Sequence, residues 1–576
     1  MTAFSQRVVA AGSAAVLGAA VLTVASATPA QAAVALTCPA TVPVYAIDGD
    51  GRLKWYGHRD AGGGSWSWAS GSGAQIGHGW HGFKRVFSGG NGVIYAVDGS
   101  GYLKWYRHTG ASTGANTWAS GSGKVIGHGW GGFVDVVADG TGVIYALDAD
   151  GNLRWYRHLS PTTGGTGWAS GSGTVIRTGW KAITKLIPGR DGVIFGINTK
   201  GLVRWYKHLN PSGGGSTFGT GTGLVTGEEW DRYRTPSGAG AGVFYAVDSG
   251  GRLWWERHAD PQAGAPVWYE RRQIGSGWGS FTSVFADVAS CAPASSTGYA
   301  TGSGGRTLYY VNGRVAAVLT PGARTAVLYG TTVRKFSEST TTATVSTRAW
   351  VRLLPGPWST SASWASSWLS ANVGSTSEDI LEIASQYITG APDRYKNGLR
   401  YAGDAHYGPV GEEGRIEGSD FNDYLGIPWK YGDRVDEPEP DQKDSLDCSG
   451  FVRMVYGYRS GYPMEIGTPT GTALPRRAVQ MHASAPGVMV VDGGTAKPTS
   501  YAALQPGDLL FWDASTDDGT AIDHVGIYLG VDSNGKHRFV SSRKTVDGPT
   551  LGDVGGHSLL DNGTLYDRSW RAAKRL

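Results

Sequence analysis

Cysteine, methionine, phenylalanine and charge are all scarce in this chain of 576 residues: 3 Cys, 5 Met, 14 Phe and 17% charged residues. The charge is also nearly balanced, at +4 with His neutral. No basic stretch resembles a nucleic-acid-binding arm, and so small an excess is no phosphate footprint. Neither a metal-ligand cluster nor a phosphate-cradling loop stands out, so no cofactor is expected. Beyond an uncharged run at residues 8–24, no apolar run approaches the ~18 residues of a membrane span. Hydrophobic residues at 40% exclude a chain disordered overall. Glycine without a three-residue period excludes collagen.

What is abundant is Gly, at 91 residues, and Trp, whose 23 copies outnumber Phe. Many glycines, many aromatics and few charges point to short strands and tight turns. Arg7, the apolar run and Ala30-Gln31-Ala32 form a signal-peptide pattern over residues 1–32. The mature protein is expected to be secreted, with no membrane attachment after cleavage. In an oxidising compartment an odd cysteine count needs explaining. Cys38 and Cys291 bracket a repeat array, so they are expected to pair, leaving Cys448 as a free thiol. A lipid-modified Cys38 is disfavoured, because Leu36-Thr37 lacks the small residue expected before such a cysteine.

Trp55, Trp105, Trp155, Trp205 and Trp255 recur every 50 residues, with His58, His108, His158, His208 and His258 in the same register. Further aromatic columns run Trp68, Trp118, Trp168, Phe218, Trp268 and Trp80, Trp130, Trp180, Trp230, Trp278. Each unit reads as a hairpin, VIYAVD–GSG–YLKWYRH in the second, followed by two more short strands. Four strands per unit, five times over, predict a five-bladed all-β propeller at residues 38–291. The array starts without the F-x-x-V strand that opens later units and ends with one, FTSVFADV. Ring closure would join these two pieces, with Cys38 and Cys291 flanking the joint. The repeats resemble the tachylectin-type lectins. That resemblance implies N-acetylglucosamine or N-acetylgalactosamine binding in each blade, with Trp55, Trp105, Trp155, Trp205 and Trp255 as candidate sugar-stacking residues. The competing reading is that each Trp column fills the space between blades. The five His, one per blade, suit strand-end hydrogen bonds better than one metal site.

Residues 292–304 read as a polar linker. Residues 305–374 read as a β-rich connector, either a small module or an elaborated front to the next domain. From residue 375 to 576 the pattern changes to α+β. Residues 445–456, SLDCSGFVRMVY, place N-cap types before apolar residues at helical spacing, which puts Cys448 at a helix start. There the macrodipole favours a thiolate. LQPGDLLFW and DHVGIYLG follow as strands, the second headed by His524. Cys on a helix followed by His on a sheet is the papain-like order. GIPWKYG, DCSGFV, PGDLLFW and HVGIYLG resemble the NlpC-type cell-wall cysteine peptidases. The resemblance implies Cys448 as nucleophile, His524 as base, and cleavage of an amide bond in peptidoglycan stem peptides. Ser541 stands where a residue orienting the base is expected, with Ser542 or His537 as alternatives. Asp447, Ser449 and Trp429 are candidate substrate-binding residues, Trp429 standing where Tyr is usual.

The expected protein is therefore a secreted, monomeric peptidoglycan hydrolase targeted by a propeller that binds N-acetylhexosamine glycans. Two alternatives stay open. One is a lectin or adhesin with an inactive peptidase-like domain; the other is a thiol enzyme acting on different amides.

Overall fold

The computed structural model describes residues 36–576 apart from Glu413. The expected signal peptide lies outside the described residues. Residues 42–286 form five four-stranded antiparallel sheets, each one blade. The first blade joins the ends of the array, with strand order Phe281–Ala286, Val42–Asp48, Leu53–His58, Ala74–Gly77. The Cys38–Cys291 disulfide lies beside this joint. Asp287 reinforces the ring from the same segment, accepting from the backbone N–H groups of Asn91 and Gly92 at 3.0 and 2.6 Å.

The blades are built from strands buried on both faces, hence the continuous apolar runs such as VIYAVD in place of strict alternation. Their hairpins turn on an aspartate and a glycine. Asp48 Oδ1 accepts from the N–H groups of Asp50 and Arg52, while Gly51 takes φ +75°. That left-handed conformation explains why glycine closes every copy of this turn.

The five Trp of the first column are 0–2% exposed. Each indole N–H donates to a backbone carbonyl of the next blade: Trp55 to Ala111, Trp105 to Pro161, Trp155 to Pro211, Trp205 to Pro261 and Trp255 to Ala61. Each ring also packs against a glycine of that blade, with Gly114 so close to Trp55 that an added Cβ would lie 2.3 Å from the ring. These residues therefore have no face free for a sugar. The expectation that they stack on sugars is corrected: they hold blade to blade.

The histidines form a second inter-blade set. Tyr45, Tyr95, Tyr145 and Tyr245 hydroxyls meet Nδ1 of His108, His158, His208 and His58 at 2.8–3.2 Å. One rung of this ladder is missing. Phe195 stands where the tyrosine opposite His258 should be, and His258 Nδ1 accepts instead from the Asp260 N–H at 3.2 Å, while its Nε2 is buried with no partner among the described residues.

The stretch expected as linker and connector is folded against both neighbours. Gly298–Thr301, Thr307–Val311, Arg314–Leu319, Thr325–Phe336 and Val345–Leu353 form a five-stranded antiparallel meander. Its first strand falls inside the expected linker 292–304, correcting that assignment. Small polar residues suit an edge strand half-open to solvent as well as they suit a linker. Val327, Phe336, Val345, Ala349 and Val351 belong to the same apolar core as Cys448, Phe451 and Leu509. Arg324 and Thr325 N–H groups both donate to the Leu576 carbonyl at 2.8 and 2.6 Å. The connector is thus the elaborated front of the C-terminal domain. On its other side Leu308, Tyr310 and Val318 pack with Ala259, Ala265 and Val267 of the fifth blade.

The C-terminal domain carries a six-stranded antiparallel sheet ordered Val488–Asp492, Trp570–Arg575, Leu509–Trp512, His524–Val531, His537–Arg543, Gly548–Thr550. The helix Cys448–Val452 lies on this sheet and continues as a π-helical turn, Arg453–Tyr458.

Candidate active site

Three side chains expected from sequence converge where this helix meets the sheet. Cys448 is the first residue of its helix, and Asp447 caps it by accepting from the Gly450 N–H at 2.7 Å. His524 heads its strand opposite Trp512, and Ser541 lies on the adjacent strand. His524 Nε2 and Ser541 Oγ are 3.0 Å apart. Of the alternatives, Ser542 donates to the Leu446 carbonyl, and His537 is held by Tyr528 at 2.7 Å and by Glu228 of the propeller at 3.1 Å. Only Ser541 among these three bonds His524.

The site is buried. Cys448 is 7% exposed and His524 8%. Burial, with a smaller contribution from the Asp447 charge, pushes the Cys448 thiol well above its usual range. Burial and then Arg543 lower the His524 imidazole to about 3. The helix dipole favours a thiolate, but desolvation outweighs it and favours a neutral thiol beside a neutral imidazole. With Nε2 bonded to Ser541, Nδ1 is the other ring nitrogen, and the Cys448 thiol donates to the Asp523 carbonyl at 3.9 Å, one residue before His524.

Asp447 and Ser449 flank the nucleophile but are already engaged. Arg476 donates to Asp447 Oδ2 at 2.8 Å and to Ser449 Oγ at 2.7 Å. Burial raises the Asp447 carboxyl, but Arg476 outweighs it, so the net shift is downward. Trp429 packs on Phe421 and Tyr458, with ring centroids 5.1 and 5.8 Å apart, as a partly buried member of the core.

Two phenols that sequence reasoning missed lie near the thiol. Burial and then proximity to the Cys448 sulfur raise the hydroxyl of Tyr407. Tyr566 is lifted by burial too, with Cys448 a smaller contributor, and its ring lies 5.3 Å from that of His524. Tyr407 is seated by Asp547, whose carboxylate accepts from the Tyr407 N–H at 3.1 Å and also holds His406 and Arg415. No local signal in the sequence links residues 407, 476 and 448; only the fold does.

Asp513, Asp518 and Asp523 also approach one another, within 4.8 Å. Asp513 is bound by Arg571, and Asp523 accepts from the Ala514 and Ser515 N–H groups. Among the described residues no helix is long and apolar enough to cross a membrane.

No curated protein matches the chain. Among solved structures, a protein from work on the de novo evolutionary emergence of a symmetrical protein is 21% identical. That match covers 42% of this chain and 97% of that one at a TM-score of 0.31. The computationally designed Ika8 protein is 10% identical over 56% of this chain and 96% of its own, at a TM-score of 0.20. Family models divide the chain as its architecture does: residues 46–283 match the Tachylectin family, whose domain suggests carbohydrate binding. Residues 426–553, which hold Cys448, His524 and Ser541, match the NlpC/P60 family, generally cysteine peptidases and amidases acting on peptidoglycan.

Proposed function

We propose that this protein is a secreted peptidoglycan hydrolase that cleaves an amide bond of the stem peptide, held at its substrate by a propeller that binds N-acetylhexosamine. The observation that carries the reading is the His524–Ser541 hydrogen bond on the strands facing the Cys448 helix. In the reaction, His524 Nδ1 takes the Cys448 proton as sulfur attacks the amide carbonyl carbon. The carbonyl π electrons move to oxygen, giving a tetrahedral oxyanion. The Cys448 N–H, in the first helical turn, supplies a donor to it. Collapse expels the amine, which receives the proton from His524, and leaves a thioester that water hydrolyses by the reverse roles. Nε2–H donates to Ser541 throughout, which keeps Nδ1 free for the proton. Tethering to glycan raises the local concentration of stem peptide, so weak sugar sites suffice.

Digestion of purified peptidoglycan followed by mass analysis of the products tests this directly. Released peptides cut at one amide bond are expected, and none from Cys448→Ala, with sugar binding retained. Equal release by that variant overturns the mechanism. A second reading, a carbohydrate-binding protein with a silent thiol domain, is favoured by the neutral resting pair. Intact peptidoglycan after incubation with the wild-type chain is its signature.

A further inference from the structure

The inner strands of the five blades are Phe83–Gly90, Asp135–Ala138, Ile183–Pro188, Ser237–Gly240 and Phe281–Ala286. Each touches the next around the ring, and together they enclose an axial cavity of about 550 Å³. One end is covered by the segment that follows the last of them. Ala289 lies against Gly90 and Gly140, where an added Cβ would fall 2.8 and 2.7 Å from its own. The Val288 N–H donates to Ser88 Oγ at 3.2 Å and anchors this floor. At the other end Lys84, Thr184, Arg234 and Thr282 are exposed. The axis of the ring is therefore a blind cup.

The cup is layered. Arg85, Asp135 and Lys185 pair with Val97, Leu147 and Ile197, each one repeat apart, so the three lie at one depth just inside the rim. Arg85 donates to Asp135 at 3.3 Å and to the Phe133 carbonyl at 2.7 Å. Lys185 donates to the Tyr233 and Arg234 carbonyls at 2.6 and 2.7 Å, which leaves one ammonium proton unclaimed among the described residues. Arg234 gives one N–H to the Gly279 carbonyl at 3.2 Å. Of Lys84, Arg85, Lys185 and Arg234, only Arg85 pairs with a carboxylate among the described residues. Thr235 takes the same repeat position in the fifth blade, and its buried Oγ1 has no partner among the described residues. Below this ring the wall is apolar, built from Val86, Phe87, Val136, Leu186, Val284 and Phe285.

Cations from three blades thus face a single carboxylate, and Asp135 is already engaged, accepting from the Leu186 N–H at 2.7 Å as well. The ring is short of negative charge. A carboxylate would bring one charge, whereas a phosphate monoester brings nearly two and three terminal acceptor oxygens. The low dielectric of an apolar cup strengthens such pairing. Cavities of roughly 300–1,000 Å³ take small molecules, and a blind one takes them end on. An anion near the rim with an apolar body below it matches both layers. No contiguous motif announces this site, because its groups come from separate blades.

We propose that the axial cup binds a small organic phosphate monoester, with its phosphate at Lys84, Arg85, Lys185 and Arg234 and its apolar body on the wall below. The test is isothermal titration calorimetry of the full chain at low ionic strength, with phenyl phosphate, inorganic phosphate and benzoate as probes. A single class of site for phenyl phosphate is expected. Burying the phenyl ring should make its dissociation constant at least about tenfold lower than that of inorganic phosphate. Benzoate should also bind more weakly than phenyl phosphate. The double change Lys84→Gln and Arg234→Gln alters only exposed side chains. It should weaken phenyl phosphate about tenfold. Lys124→Gln with Lys396→Gln removes the same charge from exposed positions outside the cup, and should change binding less than about twofold. No saturable uptake of phenyl phosphate, equal or tighter binding of either other probe, or a rim variant that binds as the control variant does overturns the assignment.

Discussion

Arg476 binds Asp447 across 2.8 Å, through a carboxylate only 8% exposed and one residue before the candidate nucleophile. The pair keeps a buried negative charge from facing Cys448 unanswered. Removing only the cation leaves that charge uncompensated, which for buried pairs costs about 3–5 kcal/mol. Arg476→Ala is expected to lower the stability of the C-terminal domain by about 3 kcal/mol in urea unfolding. It should also slow hydrolysis, because the thiol becomes harder to ionise. Arg476→Lys should recover the charge but lose the fork that reaches both Asp447 and Ser449.

In the proposed mechanism Ser541 acts through His524, which it bonds at 3.0 Å, and touches no substrate. Losing one neutral hydrogen bond removes about 1 kcal/mol, so Ser541→Ala should lower kcat roughly fivefold. KM should be unchanged. A rise in KM at constant kcat would place Ser541 in binding and contradict the role.

Cys448 should be sluggish towards small electrophiles in the resting protein. Its thiol is pushed up by burial, so at pH 7.5 iodoacetamide is expected to label it at least about tenfold more slowly than free cysteine, since only the thiolate reacts. Labelling should become as fast as free cysteine in urea. Fast labelling of the folded chain would show that the site opens without substrate.

Acid should weaken the protein in a defined window. His524 and His258 are both lowered to about 3 by burial. Above pH 6.5 each ring is neutral folded or unfolded. As pH falls from 6.5 towards 3, only the unfolded chain takes up the protons, and stability is lost. Each ring contributes roughly 3 kcal/mol of that loss by pH 4. His258→Phe should therefore flatten the fall of the propeller's Tm between pH 6.5 and 4.

Trp105→Ala separates packing from recognition. A buried Trp truncation costs about 3–5 kcal/mol, so the variant should melt earlier. At a temperature where it stays folded, it should still bind sugar, since the buried Trp105 ring has no face free for one.

The period of 50 residues made the propeller readable before any coordinates, because every blade repeats its turns, strands and aromatic columns. The cysteine count and the unmatched end strands even located the closure. The role of the Trp column was not readable, since a strand aromatic looks the same whether it faces solvent or the next blade. The chemistry was half legible. Cys448 and His524 sit in contiguous motifs, and Ser541 follows from strand register. Tyr407 and Arg476 reach the site from 41 residues before and 28 residues after Cys448, through packing that no local pattern encodes. Gly298–Thr301 was missed because an edge strand needs neither alternation nor apolar residues to pair.

The missing rung at Phe195 and His258 falls between the same two blades that Arg348 enters. Four seams carry both the indole and the imidazole ties; the remaining one keeps the Trp205–Pro261 bond and gains a guanidinium from the C-terminal domain. Each half thus lends the other something it cannot make alone. Cutting the chain after the propeller would free a ring with one weakened seam, for which the C-terminal domain serves as keystone.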